Sequence, residues 1–583
     1  MVGDMKRNVF CMLAVMLSLG IPARAKEATA PKNVVVIFAD DFGYGDMGCY
    51  RELFKGGDGL SLAHKYTPTI DTLGRDGVRF MQAYSPAWCA PSRQNLLSGR
   101  WCNRADVIRR PWIGKQLRDL GYSTCFVGKS HGTNSSAKVL DTAPATAEFN
   151  DGFFFCNGMR KFYLRKGETF KRRINFKSQP YVAKGGEYIT DVFTDFGADF
   201  IKRSAKAKKP FFLYMAYTAP HSPLDGKLED LQKMFPGEFD GIREDDWREL
   251  MNASGARDFR PQAPKHLKGA RKPAEGWSGN ASPAYQRMNK LGREKFIKYN
   301  FAALVYRMDL GIKKLMQTLK ESGVDNDTLV VFTSDNGSIM GSNYPLTGCK
   351  SSHFEGGVRV PMIVWSKSLA GSAAKGLIVE EITPTTTIAA TLVGMAKKAH
   401  TPKFPFDGIN LWPYLAKNTP VPDDQVFYFA SGNSSFYKAC GLYLETMMGS
   451  LSKSERERVS KSFGSIEMRE PIFNAVYIKG KEKIVYWSKR DGSASGAVYK
   501  KLPTGARSLK APAIAFAEEL VVDGNFPKRK ADRRLFKEFV DYTKASGPDE
   551  LMHAAVFKGT DTKKERRARY YLPKDKTPPA NNR

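Results

Sequence analysis

Four apolar, β-branched runs in this chain stop abruptly at clusters of polar residues, and that pattern restricts the fold more than any other feature. Asn33–Ala39 runs into Asp40-Asp41-Phe-Gly-Tyr-Gly, and Tyr122–Val127 into Gly128-Lys129-Ser130-His131. Pro210–Thr218 runs into Ala219-Pro-His221-Ser-Pro, and Thr328–Ser334 into Asp335-Asn336-Gly337. Runs that are apolar throughout read as strands covered on both faces, as in the middle of a parallel sheet. Helical stretches fall between them: Thr69–Asp76, Ile113–Leu120 and Phe301–Leu319, the last with Leu304, Met308, Ile312, Leu315 and Leu319 at helical spacing. Strand alternating with helix predicts an α/β fold with a central, mostly parallel sheet flanked by helices. Open α/β sheets bind ligands outside the carboxyl ends of their strands, and each polar cluster falls at such an end.

A chain of 583 residues is too long for one core, so more than one domain is expected. Residues 1–25 read as a signal peptide: Lys6 and Arg7 precede the apolar run Val9–Leu19, and Ala23-Arg24-Ala25 offers a cleavage site. That run is too short to span a bilayer and no other is long enough, which predicts an exported protein, periplasmic or secreted, with no membrane span. The principal domain is expected over 26–420, with a loop-rich, substrate-facing insertion at 224–300 that is dense in charge, Pro, Gly and Asn. Short strands at Val426–Ala430, Ala475–Lys479 and Lys483–Trp487, and a helix at Leu535–Thr543, predict a smaller α+β domain over 421–550, followed by a basic tail at 551–583. The net charge of +31 barely changes when the signal peptide is removed. Export argues against nucleic acid as the partner, leaving an acidic polysaccharide or simply a solvated basic surface. The eight cysteines show no C-x-x-C spacing or dense disulfide framework.

A further strand, Gly77–Tyr84, feeds Cys89-Ala-Pro91-Ser92-Arg93. Pro91 fits the first turn of a helix, which puts Cys89 just ahead of a helix N-terminus, where free amides and the dipole favour an anion. Arg93 follows one turn in. Such a cysteine can be a buried structural residue. It can also be a thiolate nucleophile of the tyrosine-phosphatase kind, although the Gly-rich loop and later arginine of that chemistry are missing. Thirdly, with Leu96-Leu97-Ser98-Gly99-Arg100, the segment resembles the type I sulfatase signature C-x-P-S-R followed by L-L-x-G-R, whose cysteine is converted to formylglycine. Asp40-Asp41 is either an Asp-rich turn or a hard-cation site. Adjacent strand residues face opposite ways, so the pair can serve one site only if the strand ends there and the following glycines let the chain turn.

The resemblance extends over residues 31–420, where the chain is similar to sulfatases of the alkaline-phosphatase-like superfamily. Asp40-Asp41 resembles the first metal pair of that family and Asp335-Asn336-Gly337 the second. Gly128-Lys129-Ser130-His131 resembles its G-K-x-H element, Pro220-His221-Ser222-Pro223 its P-H-x-P element, and Lys350 with Glu355-Gly-Gly-Val-Arg-Val-Pro361 its K-x-x-x-x-E-G-G-x-R-x-P block, all in family order. The resemblance implies an alkaline-phosphatase-like large domain with a smaller C-terminal α+β domain. It implies formylglycine made from Cys89 by a maturation enzyme, and a cation held by Asp40, Asp41, Asp335, Asn336 and the modified Cys89. An oxygen-only shell suits Ca²⁺ or Mg²⁺ over Zn²⁺, and the resemblance favours Ca²⁺. It also implies roles. Arg93 holds the formylglycine, Lys129 and Lys350 bind sulfate oxygens, His131 takes a proton from the diol, and His221 protonates the leaving oxygen. His353, close after Lys350, carries no role from the family.

The function expected is an exported sulfatase that hydrolyses O-sulfate esters of a sulfated polysaccharide or its oligosaccharides. Two alternatives stand beside it: a phosphonate or phosphate ester hydrolase of the same fold, and a non-catalytic binder of sulfated glycans. A binder has no use for His221, so the intact acid, base and metal set argues against it.

Overall fold

A computed structural model of the chain describes residues 28–499 apart from 55, 58, 103–110, 132–147, 156–157, 159, 253–292, 347, 397–404, 432–472, 480–481 and 489–493. The expected signal peptide, the helix at Leu535–Thr543 and the basic tail lie outside the described residues.

The strands in chain order are β1 (Asn33–Ala39), β2 (Val78–Tyr84), β3 (Ser123–Lys129), β4 (Asp151–Phe155), β5 (Thr169–Ile174), β6 (Lys177–Ser178), β7 (Tyr181–Val182), β8 (Phe211–Ala216), β9 (Thr328–Ser334), β10 (Arg359–Trp365) and β11 (Ile378–Pro384). They form a large sheet in the order β11-β2-β10-β9-β1-β8-β3-β4-β5-β6, with β7 paired to β5. The centre, β9-β1-β8-β3-β4, is parallel throughout. Strand β10 runs against both of its neighbours.

The continuous apolar runs are explained by two buried faces. In β1, Val35, Ile37 and Ala39 face one core with Leu213, Met215, Val330 and Phe332. Val34, Val36 and Phe38 face the other with Phe212, Tyr214, Leu329 and Val331. Alternation is present, but both sets of side chains are apolar because helices cover both sides. One layer includes the helices Pro68–Asp76, Ile189–Lys206 and Arg293–Glu321; the other includes Cys89–Ser98, Ile113–Asp119, Thr386–Ala396 and Trp412–Lys417.

The segment expected as a loop-rich insertion is in its described part packed structure. Helices Leu228–Met234 and Glu244–Asn252 bury Leu228, Leu231, Trp247 and Met251 in the main core. The helix expected to begin at Phe301 starts at Arg293, two turns earlier. Those turns carry their own contacts: Phe296 is buried, Tyr299 stacks on Phe235 with ring centroids 4.0 Å apart, and the Asn300 side chain accepts from the Gly226 amide at 3.0 Å. Dense surface charge masks a narrow apolar stripe that only packing reveals.

Beyond the large sheet, β12 (Val426–Ser431), β13 (Phe473–Lys479), β14 (Glu482–Ser488) and β15 (Ala494–Tyr499) form a separate antiparallel sheet in sequence order. This is the smaller C-terminal sheet that the short strands predict, with β15 in addition. It packs close to Cys89, where Phe427 stacks on Tyr84 at 5.4 Å and Phe429 meets Trp88 edge-on at 5.7 Å. No helix among the described residues is long and apolar enough to cross a membrane. The described cysteines, Cys49, Cys89, Cys102, Cys125 and Cys349, are all free thiols.

Candidate active site

Because β9, β1, β8 and β3 are parallel, their carboxyl ends deliver Asp335-Asn336, Asp40-Asp41, His221 and Lys129-His131 to one edge of the sheet. Strand β2 ends at the same edge and leads to Cys89. The Lys350 block arrives differently. Strand β10 is reversed, so its beginning lies there, with Arg359 paired to Tyr84, the last residue of β2. An antiparallel strand thus adds a polar cluster that precedes it.

Asp41 adopts φ of +66°. The turn that sequence places on the following glycines is made by this aspartate, a residue type that tolerates the left-handed region. Asp40 and Asp41 consequently leave the strand toward the same site. Glycine is needed instead for close approach at Gly337, where a Cβ would lie 1.7 Å from the Gly356 carbonyl oxygen. That contact locks the Asp335-Asn336-Gly337 turn against the Glu355-Gly-Gly segment, and the Gly337 amide donates to Gly357 O at 3.1 Å.

Cys89 is the first residue of its helix, not the residue before it, and Pro91 lies in the first turn as expected. The thiol is buried. Lys350 Nζ lies 3.3 Å from Sγ and also donates to Asp41 Oδ1. Burial pushes the thiol up, but the Lys129 and Lys350 ammoniums, helped by His131, outweigh it and hold Cys89 well below the usual thiol range.

Arg93, 1% exposed, donates to Asp335 Oδ2 at 3.2 Å and to Lys129 O at 3.0 Å, and lies 3.5 Å from Asp40 Oδ2. It is anchored on the carboxylates and on the end of β3. Lys129 Nζ pairs with Asp40 Oδ2. His221 Nδ1 must donate to Ser222 O, since a carbonyl only accepts, so Nε2 is the nitrogen that gains or loses a proton. Nε2 lies 3.6 Å from Asp41 Oδ2.

One ligand atom each from Asp40, Asp41, Cys89 and His221 lies within 4.8 Å of the others, which makes a possible metal site. Asp335 Oδ1 accepts from the Asp41 amide at 3.0 Å, and Asn336 Nδ2 donates to Asp41 Oδ1 at 2.8 Å. Two buried oxygens, Asp40 Oδ1 and Asn336 Oδ1, have no hydrogen-bond partner among the described residues. Buried acceptors without donors are costly, and a hard cation would satisfy both. Desolvation and the neighbouring Asp40 push the Asp335 carboxyl well up, while Asp40, against its own desolvation, is held down by Lys129, His221 and Arg93. Arg93, Lys129 and Lys350 match Asp40, Asp41 and Asp335 in formal charge. A divalent cation added here leaves net positive charge for an anionic group.

His353 is 1% exposed, with its ring 5.3 Å from that of Phe429. Burial and the nearby Lys483 hold it neutral, with its pKa lowered to about 3. Sequence reasoning missed Lys483 and Phe429. Each is an ordinary strand residue with no motif around it, and only the pairing of the small sheet brings them here.

The family model described as Sulfatase matches residues 32–398. The uncharacterized sulfatase YdeN of Escherichia coli (strain K12) is 25% identical over 430 residues, 66% of this chain and 66% of its own length. A solved structure of Ps i-CgsB in complex with k-i-k-neocarrahexaose superposes with a TM-score of 0.58 and 20% identity, over 90% of this chain and 94% of that one. A phosphonate monoester hydrolase of Agrobacterium radiobacter shares the fold with a TM-score of 0.50 and 17% identity, over 89% and 96% of the two chains. With its strand-end elements gathered at one edge and the family model spanning every strand of the large sheet, the chain belongs to the sulfatase family.

Proposed function

We propose that this protein hydrolyses O-sulfate esters of a sulfated polysaccharide or its oligosaccharides, with formylglycine made from Cys89 as nucleophile. The observation that carries the reading is the placement of the Cys89 thiol. It lies 3.3 Å from Lys350 Nζ and within 4.8 Å of a ligand atom of each of Asp40, Asp41 and His221. The hydrated aldehyde would supply one hydroxyl to attack sulfur as its bond to the alcohol oxygen breaks, and a second whose deprotonation would re-form the aldehyde and expel sulfate, a step a plain serine lacks. Asp40, Asp41, Asp335, Asn336 and the modified Cys89 would hold Ca²⁺, which would supply positive charge to offset that of the sulfate and its attacker. Lys129 and Lys350 bind sulfate oxygens. Arg93 keeps the carboxylates and the end of β3 in place. His221 donates the Nε2 proton to the leaving alcohol, with its ring orientation set by Ser222 O. His131, delivered to the same sheet edge just past β3, accepts the proton of the second hydroxyl.

The glycan substrate is supported by the net charge of +31 and by the oligosaccharide bound to the neighbour Ps i-CgsB. Export to the periplasm or beyond is supported by Lys6-Arg7, the apolar run and Ala23-Arg24-Ala25. A phosphonate ester hydrolase is the second reading, favoured by the shared fold of the Agrobacterium enzyme. The test is anion release by protein coexpressed with a formylglycine-generating enzyme, beside Cys89→Ala, on sulfated polysaccharides, their oligosaccharides, an aryl sulfate and an aryl phosphonate. Sulfate released from a glycan and lost in the mutant is expected; turnover of the phosphonate alone replaces the sulfatase reading with the second.

A further inference from the structure

Lys483 belongs to β14 of the small sheet, yet it is 1% exposed and its Nζ donates to Glu355 Oε1 at 2.7 Å. Glu355 also accepts from Tyr84 Oη at 2.9 Å and lies 3.4 Å from Arg359. Burying a lysine is expensive, so a lysine kept here marks a place where its partner must be held. Glu355 closes the turn that carries Lys350. Within that turn Ser352 N donates to Cys349 O at 3.0 Å, and Ser351, at φ +70°, donates its amide to Ala87 O at 2.7 Å. Ala87 lies two residues ahead of Cys89. Phe429 of β12 meets both sides of this junction: its ring is 5.7 Å from Trp88, the residue before the nucleophile, and 5.3 Å from His353.

We propose that the small sheet is a positioning element of the active site: Lys483 and Phe429 clamp the Cys349–Glu355 turn against the Trp88–Cys89 step and so hold the Lys350 ammonium on the nucleophile. Lys483 and Phe429 are positioning residues, acting through Lys350 and residue 89. The inference rests on the reading of Cys89 as nucleophile. It separates two jobs within one sheet, since the ladder of backbone bonds folds the sheet while these two side chains reach out of it toward the chemistry.

The test uses the full chain with Lys483→Met, Lys483→Arg and Phe429→Ala, each with its melting temperature recorded. In matured protein, Lys483→Met is expected to lower kcat about tenfold with KM within about twofold, because a small displacement of a catalytic group costs rate more than binding. Lys483→Arg is expected to restore at least about half of the rate, since the charge on Glu355 is retained. In unmatured protein, alkylation of Cys89 by iodoacetamide at one fixed pH, read by peptide mass spectrometry, is expected to change at least about threefold in Lys483→Met and Phe429→Ala. This arm needs no turnover. Absence of sulfate release by the unsubstituted protein therefore sinks the sulfatase reading, and alkylation still decides the clamp. Folded Lys483→Met protein with unchanged kcat and unchanged alkylation overturns the proposal. So does a loss of rate that follows the melting temperature alone while Cys89 reacts as before.

Discussion

At the carboxyl edge of the large sheet, Asp40 Oδ1 and Asn336 Oδ1 are buried with no partner among the described residues. A short way off, beneath the small sheet, the Glu355 carboxylate accepts from Tyr84 and Lys483 and lies beside Arg359. Both regions bury charge, but the first leaves acceptors open and the second closes them. Open buried acceptors raise the energy of the protein by itself and are tolerated where something else will bind. Closed ones hold a shape. The comparison teaches that this fold separates reacting charge at the strand ends from supporting charge where the small sheet meets the large one, with the reversed β10 and its preceding turn as the link.

The largest effect that could break this division is loss of the nucleophile. Cys89→Ala should lower sulfate release by about four orders of magnitude or more in a turnover assay, with the melting temperature nearly unchanged. Chelation tests the open acceptors. Removal of divalent metal should abolish turnover and lower the melting temperature by several degrees, and Ca²⁺ should restore both better than Zn²⁺. If the acceptors were closed by the protein itself, the melting curve would not move. Next in size, His221→Ala should lower kcat by about 10²–10⁴-fold on a glycan sulfate, and by less on an aryl sulfate whose leaving oxygen needs no proton.

The smallest effect concerns the closed region and is one of stability. His353 stays neutral in the folded protein, its pKa lowered from 6.5 to about 3 by burial and Lys483. On unfolding it takes up a proton, so the unfolded state binds more protons between these values and stability is lost as pH falls below 6.5. The contribution at pH 5 is about 2 kcal/mol, from the roughly one and a half pH units below the unfolded value. Denaturant unfolding of His353→Gln and the unsubstituted protein at pH 5 and pH 7 measures it. Equal pH slopes in the two would show that the space under Phe429 admits a charged ring, and the contrast between the sheets would blur.

Much of the fold is legible from local residue order. Strands β1 and β9 match their apolar runs residue for residue, and the clusters at the ends of β1, β3, β8 and β9 meet in one site. That follows because a strand buried on both faces must be apolar throughout, and because parallel strands align their ends. The expected residues of those clusters could be singled out for the same reason, since they stand just past strand ends, whereas Lys350 stands well ahead of β10. Other features depended on partners far away in the chain. The turn at Asp41 is paired with Asp335 and Asn336, and the first turns of the long helix with Phe235 and Gly226. The sequence by itself determined the α/β class, the strand-end clusters and the family resemblance. Only the tertiary structure decided that β10 runs backwards and that Lys483, 128 residues from Glu355, supports the turn that holds Lys350. Periodicity and turn chemistry act between neighbours along the chain, whereas a buried charge finds its partner only after distant strands have paired.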